Sequence, residues 1–200
     1  MKLIMSPASP FVRKVRVILR EGELTGLVAE HPVFTTPLAT PQEVRAANPT
    51  GKIPVLVRED GPAIHDSRVI TRFLDDRFEL GLYPKSRLWE VLTLEAMADG
   101  IMDAAVLMVY EHRFRPEPLW FADWTEAQWG KVTGGLDAIE NRWMSHLAGP
   151  LNAAQIAVGC ALSYLDLRHP GRAWRDGRPA LADWHAAFAA RPSMVETAPD

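Results

Sequence analysis

Residues 48–67 read NPTGKIPVLVREDGPAIHDS, and the order of elements in this stretch decides the fold. An apolar strand from Ile53 to Val57 is entered through Ile53-Pro54. Asp60-Gly61-Pro62 turns the chain, a second short strand runs from Ala63 to His65, and a helix starts at Asp66-Ser67. Proline has no amide donor, so it belongs at the first positions of a strand or on an edge. An X-Pro bond is also the one place where a cis peptide costs little. The strand edge at Ile53 therefore has backbone groups to offer a peptide-like ligand. The unpaired N–H groups of the helix start at Ser67 suit a carboxylate. Together the two features fit a small anionic peptide.

Upstream, the chain alternates in type. Lys2 to Met5 reads as a strand and Pro10 to Glu21 as a helix, with Val12, Val15, Ile18 and Leu19 on one face. Arg13, Lys14, Arg16 and Arg20 lie around the rest of that helix, and Arg13 reads as a solvated helix-face residue. Ser9 is a natural N-cap, Pro10 a natural first residue and Gly22 a natural stop. Leu27 to Glu30 reads as a second strand, parallel to the first because a helical crossover joins them. Downstream, Ser67 to about Glu79 is a helix with Val69, Ile70, Phe73 and Leu74 inward. The order β-α-β then β-β-α describes a small mixed sheet covered by helices.

Beyond Leu80 to Ser86, which reads as a linker, only helical patterns follow: 87 to about 113, 125 to about 147, 152 to about 167, and 179–190. All seven tryptophans lie at or after Trp89, so the second half has an aromatic-rich core of its own. Two domains are expected, 1–80 and 87–200, joined by 81–86. In the second, Asn152-Ala-Ala-Gln155 flanked by Leu151 and Ile156 predicts a capping box with a hydrophobic staple.

The composition, 48% hydrophobic and 24% charged, is that of a globular protein. A net charge of −3 gives no case for nucleic acid or an anionic membrane surface. The single cysteine, Cys160, cannot form an internal disulfide, which fits a reducing compartment. No apolar stretch approaches the roughly 20 residues that span a bilayer. A cytoplasmic protein is expected. His31, His65, His112, His146, His169 and His185 show no metal-ligand spacing, so no metal is expected.

These residues resemble the glutathione S-transferase family over nearly the whole chain. The resemblance rests on Ser9-Pro10-Phe11 opening the first helix, Asn48-Pro49 ahead of Ile53-Pro54, and Asp66-Ser67 opening a helix. It rests also on the all-helical second half and on RPALADWHAAFAARPS near the end. It implies an α/β thioredoxin-like N-terminal domain, an all-α C-terminal domain, a homodimer, and a detoxifying transferase that uses glutathione as co-substrate.

The resemblance assigns the thiol to Ser9, whose hydroxyl would donate to the sulfur and hold it as thiolate. The tyrosine-dependent branch is not matched, since the first tyrosine is Tyr83. The cysteine-dependent branch is not matched either, since Cys160 is the only cysteine. A serine-type enzyme remains, with Ser6 ranked behind Ser9. Asp66 and Ser67 are implied to hold the γ-glutamyl end, Asp66 meeting the ammonium and Ser67 the carboxylate. Ile53 would pair with the cysteinyl backbone, Pro54 would be the cis proline, and Lys52 would reach the glycyl carboxylate. Met102, Val106, Val109, Tyr110 and Arg113 would line a second-substrate pocket between the domains, for a small, largely apolar electrophile. The same thiolate allows peroxide reduction or isomerisation. The alternative is a non-catalytic relative that serves as a protein-binding or regulatory module.

Overall fold

The computed structural model describes residues 1–199. In chain order the elements are β1 (Lys2–Met5), α1 (Pro10–Glu21), β2 (Ala29–Pro32), α2 (Gln42–Ala47), β3 (Val55–Val57), β4 (Ile64–His65), α3 (Ser67–Phe78), α4 (Leu88–Phe114), α5 (Ala122–Arg142), α6 (Met144–Leu147), α7 (Ala153–Arg168), α8 (Pro179–Ala189) and α9 (Pro192–Glu196). They fall into two compact units. One comprises 1–85 together with 191–199, and the other 86–190. The sequence reading assigned everything after 87 to the helical domain, whereas the closing segment packs with the first unit, where α9 lies on α1.

The first unit is built on a four-stranded sheet in the order β2-β1-β3-β4. β1 and β2 run parallel, β1 and β3 antiparallel, and β3 and β4 antiparallel. Side chains alternate across the sheet. Ile4 and Val55 share a core cluster with Val44 of α2, and Leu3 and Leu56 point to the opposite face, all of them buried. The apolar stripe of α1 (Val12, Val15, Ile18, Leu19) is fully buried, as is that of α3 at Ile70 and Leu74. The two helices pack against each other. Val69, expected inward, is 52% exposed.

Two readings of this unit change. β2 begins two residues later than the hydrophobic pattern suggests, because its register is fixed by pairing, from Lys2 opposite Ala29 to Met5 opposite Pro32. The cationic face of α1 is not solvated: Arg13, Lys14 and Arg16 are all buried. Arg13 Nη2 donates to the Met194 carbonyl at 2.9 Å and Arg16 Nη1 to that of Thr197 at 3.2 Å. Arg16 and Arg20 both pair with Glu30. Glu21 accepts from Arg191 at 2.8 and 3.0 Å and from the Ser193 hydroxyl. The closing segment is thus fastened along the length of α1.

In the helical unit α4 packs on both α5 and α7. α7 is capped by Asn152, whose side chain accepts from the amides of Ala154 and Gln155, while Gln155 Oε1 accepts from the Asn152 amide at 2.9 Å. The capping box forms as its sequence predicts. Gln155 Nε2 also donates to Leu147 and Gly149 carbonyls, joining the helix start to the preceding turn. Cys160 is buried in the core of this helix. Among the described residues, no helix is long and apolar enough to cross a membrane.

Candidate functional site

The sheet topology gathers the singled-out residues of the first unit at one end. With Ile4 opposite Val55 and Val55 opposite His65, the C-terminal ends of β1 and β4 lie beside the N-terminal start of β3. The chain leaves β1 toward Ser9, enters β3 through Lys52-Ile53-Pro54, and leaves β4 into Asp66-Ser67.

Ser9 is the N-cap of α1, extended in backbone and half-buried, with Pro10 following at the first helical position. Its amide donates to the Ser6 carbonyl at 3.1 Å, which makes residues 6–9 a tight turn off the strand and leaves Ser6 at the strand end. Its Oγ accepts from the Val12 amide at 3.4 Å, longer than the usual range for an N–H···O bond. The hydroxyl therefore caps weakly, and its own proton remains to be donated.

Ile53-Pro54 is a cis peptide bond. The loop before it is organised by Asn48, which is 2% exposed. Asn48 Nδ2 donates to the Lys52 carbonyl at 2.8 Å, and its Oδ1 accepts from the Thr50 amide and hydroxyl at 3.0 and 2.9 Å. Gly51 takes a φ of +70° in this turn, the region open to glycine. Neither the N–H nor the C=O of Ile53 has a hydrogen-bond partner among the described residues. That is the backbone edge a peptide ligand requires. The Lys52 side chain is exposed.

Asp66 is the N-cap of α3 and occupies φ +66°, a region seldom entered by residues other than glycine. Strain of this kind collects at functional sites. Its carboxylate accepts from the Arg68 amide at 2.9 Å and from the Arg68 guanidinium at 3.3 and 3.5 Å. Burial pushes the Asp66 carboxyl up, but the Arg68 hydrogen bonds and the charges of Arg68 and the buried Lys14 outweigh it and hold it below its ordinary value. Ser67 follows at the first helical position and is buried. Its hydroxyl and amide have no partner among the described residues. An unpaired hydroxyl and N–H at the start of a twelve-residue helix form an anion-binding corner.

Sequence reasoning missed two contributors here. Lys14 carries no sequence signal beyond its place on α1, yet it is buried and its charge acts on Asp66. Asn48 was noted as part of a motif, without its role of holding the loop.

In the helical unit the second-substrate candidates separate. Met102 is fully buried and belongs to the core. Val106 and Val109 are half-buried, and Tyr110 and Arg113 are exposed toward the C-terminal end of α4. A further cluster imitates a hydrolytic triad: His185 Nε2 lies 3.0 Å from Ser163 Oγ, and Nδ1 lies 3.7 Å from Asp166 Oδ2. Arg175 Nη2 also lies 3.4 Å from Nδ1, and a guanidinium can only donate. Nδ1 thus faces a donor as well as the acid, and Asp166 is itself engaged by Arg175 at 2.6 and 2.7 Å, unlike the acid of a hydrolytic triad, which orients the imidazole. Ser163 sits inside α7, where the helix consumes the amides that would form an oxyanion hole. This cluster ties α7 to α8.

Comparison with known proteins bears on both units. The family model for the glutathione S-transferase N-terminal domain matches residues 8–77, and that for the glutathione S-transferase C-terminal domain matches residues 122–187. The uncharacterized GST-like protein YibF of Escherichia coli (strain K12) is 33% identical over 204 residues, covering 100% of this chain and 98% of the relative. A crystal structure of a glutathione transferase family member from Pseudomonas fluorescens Pf-5 with bound glutathione is 41% identical, with a TM-score of 0.96 over 100% of this chain and 98% of that one. A glutathione S-transferase from Methylobacillus flagellatus KT with glutathione bound is 37% identical, with a TM-score of 0.87 over 100% and 99% of the two chains.

Proposed function

Because the chain belongs to the glutathione S-transferase family, we propose that it binds glutathione at the sheet end and activates its thiol at Ser9. The γ-glutamyl carboxylate is received by the Ser67 hydroxyl and amide. The ammonium faces the Asp66 carboxylate, the cysteinyl backbone pairs with Ile53, and Lys52 meets the glycyl carboxylate. Glutathione bound to two relatives of similar fold supports glutathione as the ligand.

The observation that carries the mechanism is the Ser9 hydroxyl, which caps α1 at only 3.4 Å and keeps its proton to give. A free thiol titrates near 8.5, so little thiolate exists at neutral pH. A hydrogen bond to a charged group contributes about 1.5–3 kcal/mol, and a helix N-terminus roughly 0.3–1 kcal/mol. Lowering a thiol pKa by two units requires about 2.7 kcal/mol. Ser9 and the α1 terminus together suffice without a general base. The thiolate then attacks an electrophilic carbon. An S–C bond forms as the leaving group departs with its electron pair, or as a double-bond pair moves to carbon and is protonated by water. Proximity and electrostatic stabilisation supply the rate. Peroxide reduction and isomerisation draw on the same thiolate. A homodimer working in the cytoplasm in detoxification completes the proposal, on the support of family membership.

The test is turnover with a panel of aryl halides, hydroperoxides and epoxides, run beside a spectroscopic titration of the enzyme-bound thiol. A bound thiol titrating well below its free value, together with turnover of at least one class, is expected. Glutathione that binds with an unshifted thiol and turns over nothing would reassign the chain to a non-catalytic, partner-binding role.

A further inference from the structure

We draw no further inference here: the strongest candidate, the exposed apolar patch of Leu119, Trp120 and Phe121 on the chain between α4 and α5, carries none, since nothing in the structure shows what covers it.

Discussion

The guanidinium of Arg13 donates to the carbonyl of Met194 at 2.9 Å, across 181 positions of sequence. Arg13 lies one turn beyond Ser9, and its amide donates to the Ser9 carbonyl at 3.0 Å. The helix that presents the Ser9 hydroxyl is therefore held by the closing segment. Arg13→Met keeps the length of the side chain and removes the donor, leaving a carbonyl unsatisfied. A loss of about 1.5–3 kcal/mol is expected, read as a lower urea midpoint of the first unit, and deletion of 191–199 costs more. An unchanged midpoint in the deletion variant would show that the segment contributes nothing to that unit.

Ser9→Ala separates capping from chemistry. The 3.4 Å cap bond is long, so the stability loss falls at the low end of N-cap substitutions, about 0.5 kcal/mol. Loss of the donated hydrogen bond raises the bound thiol pKa by about one to two units, and turnover at neutral pH falls in proportion to the thiolate. Titration of bound glutathione by its thiolate absorbance measures the shift directly.

Asp66→Asn keeps a residue tolerant of positive φ and an oxygen for the Arg68 amide, while removing the charge. Glutathione affinity is expected to fall about tenfold or more, whereas a glutathione analogue lacking the amino group loses little. Calorimetric titration with the two ligands decides whether Asp66 reads the ammonium. Equal losses would restrict it to the cap.

Glu21 links pH to the stability of the first unit. Hydrogen bonds from Arg191 and then Ser193, with the Arg191 charge, lower its pKa below 4.5 against the opposing effect of burial. A carboxylate depressed on folding stabilises the native state above its unfolded pKa, and that contribution is lost as pH falls through the folded value. Wild type is thus expected to lose stability steeply below about pH 4.5, and Glu21→Gln to show a flatter acid limb from a lower plateau. Chemical denaturation at stepped pH resolves the two slopes.

Where structure is dictated by neighbours in sequence, the chain could be read directly. Ser9, Pro10 and Gly22 bracket α1 as cap, first residue and stop, and Asn152 with Gln155 opens α7 as a reciprocal cap. Ile53-Pro54 and Asp66-Ser67 stand where the β-β-α order puts them. Where structure depends on distant partners, the reading slipped. Leu27 looks like a strand residue but is 57% exposed, because pairing with β1 begins at Ala29. Arg13 and Arg16 look like a wet face because nothing in α1 announces that the segment from 191 will bond to them. The positive φ of Asp66 has no composition signal at all, since aspartate gives no warning of it as glycine would.

The first unit is interrupted: its last strip of chain is separated from the rest by the whole helical unit. In a chain made from its N-terminus onward, every residue of the helical unit is synthesised before that strip exists to dock. Any product stopped short of residue 191 would carry Ser9 on a helix whose buried cations lack their carbonyl acceptors. The order in which the two units can be finished is thus written into the path of the backbone.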